Sequence, residues 1–204
     1  MSEINMWQIE EGLSENGYQL ICGVDEAGRG PLAGPVCAAA VILPMHADIP
    51  GLNDSKKLTD KKRRELFPVI CEQAIAYGIA FADEKEIDQI NILQATFLAM
   101  KRAVDGLAAK PDYIMVDGNK LPSFDVPAQY VIKGDALSAS IAAASVLAKV
   151  TRDDLMLKMA EKYPDYGFEI HKGYGTKAHY EAIRKHGACQ IHRVTFLKKF
   201  YGKE

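Results

Sequence analysis

The sequence predicts an α/β protein in which helices pack on a mixed β-sheet. Short apolar runs at 18–24, 35–43, 77–82, 113–116 and 129–133 have strand length, with Gly, Pro or acidic residues at several of their ends. Longer segments among them carry apolar residues at helical spacing, as at Leu93, Phe97, Met100, Val104 and Leu107. The first three runs are closely connected and suit an antiparallel meander. The last two flank helical material, so the sheet is expected to be mixed.

Residues 3–15 suit a short lead-in helix. Tyr18 to Val24 reads as a strand that stops at Asp25-Glu26, and GRGPLAGP (28–35) follows as a turn. Pro35 to Leu43 is the second strand, closed by Pro44. A loop then ends in Asn53-Asp54-Ser55-Lys56-Lys57, and Thr59 suits the N-cap of a helix from Asp60 to about Ala76. Tyr77 to Ala82 is the third strand. A helical turn over Asp83 to Gln89 precedes a helix from Asn91 to Ala109. Tyr113 to Val116 is a compact buried strand ending at Asp117-Gly118, and Gln129 to Lys133 is the fifth. Ala136 to about Lys162 is a long helix that begins with small residues. A further helix starts near Thr176, and the tail from Val194 is short and basic. The expected division is a lead-in (1–17), a core (18–165) and a helical, basic segment of the same domain (166–204).

With 204 residues, 48% hydrophobic and 25% charged, the chain has the make-up of a soluble globular protein with one sizeable core. A formal net charge of −2 does not mark a nucleic-acid binder, but its distribution is uneven. Residues 171–204 hold eight Lys or Arg against two Glu, together with four of the five His. A basic end on an acidic body suits polyanion contact beside a carboxylate-rich site. A solvated terminal helix has the same charge pattern. Cys22, Cys37, Cys71 and Cys189 form no CxxC pair and read as reduced thiols of a cytoplasmic protein. The opening MSEINMWQIEEGL carries acids and no apolar core, which argues against a signal peptide. No stretch is long and uncharged enough to span a membrane. A monomer is expected, since no long apolar stripe is left unassigned.

Three acids stand out because each ends an apolar strand: Asp25, Glu26 and Asp117. A carboxylate there, beside Gly, faces a cleft more readily than a core. Clustered carboxylates repel one another, and a hard divalent cation such as Mg²⁺ or Mn²⁺ removes that penalty. Paired metals activate water and stabilise the leaving oxygen in phosphodiester cleavage. Adjacent strand residues point to opposite faces, so Asp25 and Glu26 converge only if the strand ends or bulges near Gly28. Taken alone, Asp117-Gly118 is more often a turn former. Gly28-Arg29-Gly30 offers close backbone approach to a ligand, with Arg29 for phosphate; spacing alone favours a tight turn. Asp54-Ser55-Lys56-Lys57 suits either a phosphate or a helix entry. HKGYGT (171–176) sets Tyr174 on a loop, where its ring stacks on a sugar or base or is an ordinary exposed aromatic.

Together, five ordered blocks resemble type 2 ribonuclease H, and specifically bacterial ribonuclease HII. They are Asp25-Glu26-Ala27-Gly28-Arg29-Gly30-Pro31-Leu32-Ala33-Gly34-Pro35-Val36, Asn53-Asp54-Ser55-Lys56-Lys57-Leu58, Val116-Asp117-Gly118-Asn119, Lys133-Gly134-Asp135 running on to Ser145–Asp153, and His171-Lys172-Gly173-Tyr174-Gly175-Thr176. The resemblance covers about residues 18–200. It implies a ribonuclease H-like five-stranded mixed sheet flanked by helices, with a helical C-terminal segment. It implies four acids around two Mn²⁺ or Mg²⁺ ions: Asp25, Glu26, Asp117 and Asp135. Asp135 is added by the resemblance; from the residues it reads as a helix N-cap. The resemblance also implies that Gly28, Arg29, Gly30 and Tyr174 recognise a ribonucleotide 2′-OH. The sister family, ribonuclease HIII, carries a large N-terminal domain. Only 24 residues precede Asp25 here, so the HII type is preferred.

The implied activity is endonucleolytic. It hydrolyses the RNA strand of RNA/DNA hybrids and incises DNA duplexes 5′ to an embedded ribonucleotide, leaving 3′-OH and 5′-phosphate ends. Removal of ribonucleotides and RNA primers from DNA would follow. Lys56, Lys149, Lys172 and the basic tail are expected to hold backbone phosphates.

Overall fold

In the computed structural model, which describes residues 5–53, 55 and 57–202 (Lys199 by its backbone only), five strands join in one sheet. They are β1 (Ile21–Ala27), β2 (Val36–Ile42), β3 (Ala76–Ala82), β4 (Tyr113–Asp117) and β5 (Ala128–Val131). The order is β3-β2-β1-β4-β5, antiparallel across β1–β2 and β2–β3, parallel across β1–β4 and β4–β5. The expected meander and mixed sheet are both present. The helices are α1 (Gln8–Glu15), α2 (Asp60–Gln73), α3 (Glu84–Asp105), α4 (Ala139–Lys162), α5 (Phe168–His171), α6 (Lys177–His186) and α7 (Val194–Tyr201). Among the described residues, no helix is long and apolar enough to cross a membrane.

The helices cover both faces of the sheet, and side-chain size decides how closely. On one face Cys22, Val24, Ala38, Ala40 and Val116 pack with Ala95, Ala99 and Met100 of α3. On the other, Cys37, Ala39 and Val41 meet the small residues of α4 and Leu66 and Ile70 of α2. Every residue of β2 is buried. Of its run of three alanines, Ala38 and Ala40 leave room for α3 and Ala39 for α4, whose first half is almost wholly buried. The closest approach is at Gly23, where a Cβ would stand 2.2 Å from the Ser140 carbonyl carbon. Only glycine permits that contact between β1 and the start of α4.

Several boundaries differ from the sequence reading. β1 does not stop before Asp25 but runs through Glu26 to Ala27, in register with Ala39, Ala38 and Cys37 of β2. Continued pairing with β2 carries the strand past the acids. The long helix starts at Ala139, not Ala136. A 3-10 turn, Gly134–Ala136, precedes it, and Ser138 is its N-cap, accepting from the Ile141 amide. Asp135 is therefore not the cap. The two helical pieces at 83–109 run as α3 with a break at Asn91, φ 68°. The basic tail from Val194 is the helix α7. Its Leu197 joins Leu32, Met156, Phe168 and Ile183 in a separate apolar cluster.

Candidate active site

β1 and β4 lie side by side and parallel, so their C-terminal ends reach the same edge of the sheet. Alternation then sorts the acids. Cys22 and Val24 face α3 and Gly23 faces α4, so Asp25 falls on the α4 side and Glu26 on the α3 side. In β4, Val116 faces α3 and Asp117 takes the α4 side with Asp25. The 3-10 turn brings Asp135 to the same place. One carboxylate oxygen from each of Asp25, Asp117 and Asp135 lies within 4.8 Å of the other two. Asp25 and Asp135 are buried and Asp117 is partly buried.

Backbone amides help hold this arrangement. Asp25 Oδ1 accepts from the Glu26 amide at 2.7 Å, and Asp117 Oδ1 from the Gly134 amide at 2.7 Å. The second bond ties the Asp135 turn to the end of β4. Gly134 is closely packed: a Cβ there would lie 2.6 Å from Ile141 Cδ1 and 3.3 Å from Asp117 Oδ1, so a side chain would have to displace Ile141. Three carboxylates this close repel unless a cation sits among them. The set is all oxygen, which suits a hard divalent ion.

Glu26 stands apart from this trio. It lines a hollow on the α3 side with Thr96, Phe97, Met100 and Asp117, and pairs with Arg29 at 3.3 Å. Asp117 also opens into the hollow lined by Asp25, Glu26, Gly28, Arg29, Gly30, Ser145, Lys149 and Tyr174. The expected substrate residues Gly28, Arg29, Gly30, Tyr174 and Lys149 thus share one wall system with the acids. The Tyr174 ring faces Gly30; a Cβ there would sit 3.6 Å from its Cε1. Lys149 is bound to Asp153 at 2.8 Å. Lys172 lies in the adjoining groove with Arg63, Arg64, Lys149 and Tyr174, and its ammonium donates to the Glu169 carbonyl. Lys56 and Asp54 lie outside the described residues.

Two arginines that sequence reading passed over hold the loop over the acids. Arg193 is fully buried and donates to the carbonyls of Gly28 (2.6 Å), Arg29 (2.8 Å) and Gly34 (2.9 Å). Arg152, 1% exposed, donates to those of Pro35 (3.0 Å), Ala33 (3.1 Å) and Lys172 (3.1 Å). Burial, and then the Arg152 charge, push Arg193 down to about 9, still protonated at neutral pH. A Cβ on Gly28 would strike Arg152 Nε at 1.9 Å. Local sequence gives little sign of this: Arg152 stands where the small and apolar run of α4 gives way to charge, between Lys149 and Asp153-Asp154.

The family model for ribonuclease HII matches residues 22–199. The chain belongs to the ribonuclease HII family. The ribonuclease HII of Caldicellulosiruptor bescii is 56% identical over 95% of this chain and 94% of its own length. That of Acetivibrio thermocellus is 56% identical over 97% of this chain and 77% of its own. The crystal structure of ribonuclease H2 from Pyrococcus horikoshii is 27% identical, with a TM-score of 0.72 over 90% of this chain and 99% of that one. The protein is accordingly a ribonuclease H enzyme, an endonuclease of RNA/DNA hybrids with the ribonuclease H-like fold.

Proposed function

We propose that this protein incises DNA duplexes 5′ to an embedded ribonucleotide, as well as the RNA strand of hybrids, and that it uses a pair of Mn²⁺ or Mg²⁺ ions to do so. The observation that carries this reading is the carboxylate trio beside a glycine loop and a tyrosine ring. Asp25, Asp117 and Asp135 would hold cations from the α4 side and Glu26 would contribute from the α3 side, with Glu26 and Asp117 lining both hollows. Bound there, such ions would supply activation of water and stabilisation of the leaving 3′ oxygen. The loop from Gly28 to Gly30 presents backbone rather than side chains to the ribose, and its 2′-OH is what distinguishes RNA from DNA. Tyr174 packs against that sugar, and Arg29, Lys149 and Lys172 neutralise phosphates along the adjoining groove. The ends left are 3′-OH and 5′-phosphate. The role that follows is removal of ribonucleotides and RNA primers from DNA, in the cytoplasm.

The test is a DNA duplex with one ribonucleotide, incubated with the full chain and Mg²⁺ or Mn²⁺. Incision immediately 5′ to the ribonucleotide is expected, with none in the all-DNA duplex. Intact substrate at high enzyme concentration would sink the reading.

A further inference from the structure

Behind Tyr174 lie three buried histidines that the proposed chemistry does not use. His171, His179 and His192 are 8%, 0% and 3% exposed. The rings of His171 and His179 stack with centroids 4.4 Å apart, and His179 Nε2 lies 3.0 Å from His192 Nε2.

Their backbone partners decide which ring nitrogens carry protons. The Tyr174 carbonyl only accepts, so His179 Nδ1, 2.9 Å away, donates to it. His179 Nε2 is then bare and accepts from His192 Nε2–H. That leaves His192 Nδ1 as an acceptor, and the Cys189 amide donates to it at 2.9 Å with the thiol at 3.1 Å. The Cys189 carbonyl, 3.2 Å from the same nitrogen, already takes the His192 amide at 3.0 Å. His171 is set independently. Its Nδ1 accepts from the Gly173 amide at 3.2 Å, and its Nε2 donates to the Tyr166 carbonyl at 2.8 Å. All three rings are therefore neutral, and each ring nitrogen has a partner of the right kind. A proton added to His179 or His192 would set N–H against N–H, either between the two rings or at the Cys189 amide.

We propose that the relay from His192 through His179 to the Tyr174 carbonyl holds the Tyr174 ring against the Gly28–Gly30 loop and so sets the preference for ribose over deoxyribose. This rests on the reading of that loop and Tyr174 as the ribose site. His179 and His192 are positioning residues, since neither touches substrate. The rest of the 171–174 loop is fixed from other sides: the Leu32 amide donates to the Gly173 carbonyl at 2.8 Å, and Arg152 holds Lys172. The Tyr174 carbonyl accepts from the Thr176 amide at 2.8 Å, and His179 Nδ1 adds a second donor from the buried side. The relay's titratable neighbours are His171, Cys189 and Tyr166, and the charges acting on His171 are Glu169 and Lys172, of opposite sign. Burial, working against the charged form, pushes His179 and His192 down to about 4, in keeping with neutral rings.

The test compares His179→Ala, His179→Asn, Tyr174→Ala and the Ala double variant on a single-ribonucleotide duplex and on a long hybrid. An Asn amide can still donate to the Tyr174 carbonyl. His179→Ala should lose tenfold or more in kcat/KM on the single ribonucleotide and far less on the long hybrid. The double variant should be no worse than Tyr174→Ala, and His179→Asn should recover most of the loss. Equal losses on both substrates, or additive losses, would show a merely structural histidine and overturn the proposal. If Tyr174→Ala incises normally, the ribose-site reading fails and takes the relay's role with it. If Tyr174→Ala is impaired and His179→Ala is not, the relay alone fails. Should the Ala variant not fold, nitrogen-15 NMR of the histidines in the wild-type chain decides. It should find Nδ1–H on His179 and Nε2–H on His171 and His192; any other pattern overturns the relay.

Discussion

At the scale of single residues, the site is a matter of which face each acid takes. Asp25 and Glu26 are neighbours, yet strand alternation sends them to opposite sides of β1. Glu26 and Asp117 line both hollows, and Asp117 also belongs to the carboxylate trio, so it is the most informative to change. Asp117→Asn keeps the bond from the Gly134 amide and removes the charge that would hold a cation. Single-turnover cleavage is expected to fall by about 10³-fold or more, on the scale of losing one electrostatic stabiliser. Filter-binding affinity for the hybrid should stay within a few fold. Full activity would refute the ligand assignment. Gly23 is the steric counterpart. A Cβ there meets Ser140 backbone, which cannot swing aside as a side chain would. Gly23→Ala should cost about 3 kcal/mol in denaturant unfolding, at the upper end for overpacking. A neutral result would mean that α4 can slide on the sheet.

At the scale of elements, helix ends place the machinery. Glu10 of α1 is 1% exposed, and its Oε1 accepts from the Ser138 hydroxyl at 2.7 Å and the Ser140 amide at 3.1 Å. The lead-in helix thereby caps the start of α4, three residues after Asp135. Glu10→Ala would leave both donors buried without partners, at a cost of about 2 kcal/mol. For a chain of this size that is a drop of roughly 5 °C in Tm. Glu10→Gln keeps both bonds and should lose less. Burial raises the Glu10 pKa. The unfolded chain gives up this proton at lower pH than the folded one, so its contribution is greatest below the ordinary carboxylate range and fades as pH rises through the folded value. The break at Asn91 has a similar use at the other end of the molecule. It ends the first part of α3 near Asp88, which accepts from the Val194 and Thr195 amides at 2.7 and 2.9 Å. That capped helix follows directly on Arg193, the clamp on the glycine loop.

At the scale of the whole molecule, two bulk variables should report on these features. Folded His179 and His192 resist protonation down to about 4, whereas in the unfolded chain they take protons near 6.5. The unfolded state therefore gains protons first as pH falls, and folding stability is lost progressively from about pH 6.5 down to about pH 4. Urea midpoints measured across that window should decline more steeply in the wild type than in His179→Asn. Equal slopes would mean that His179 titrates freely. On the proposed reading the Lys172 groove and the C-terminal segment meet a phosphate backbone, so log affinity for the hybrid should fall linearly with log salt. Lys172→Ala should reduce that slope by about 1 while leaving the cleavage position unchanged.

The chain order of apolar runs was enough to foresee a mixed sheet, and the resemblance carried by the ordered motifs was enough to group Asp25, Glu26, Asp117, Asp135, Gly28, Arg29, Gly30 and Tyr174. The strands are legible because their periodicity is a local property of the chain; from local signals alone Asp117-Gly118, Gly28-Arg29-Gly30 and Tyr174 read as turns and an exposed aromatic. The extent of β1 was not legible, because pairing with β2 carries it through the acids and no local signal reports that pairing. Asp135 reads locally as a helix cap, and only the 3-10 turn and its bond to Asp117 turn it toward the other carboxylates. The clamps by Arg152 and Arg193, the histidine relay and the Glu10 cap join residues from 5 to 165 positions apart. Such contacts depend on burial and on which backbone carbonyls need a donor, and both arise only when separate elements pack together.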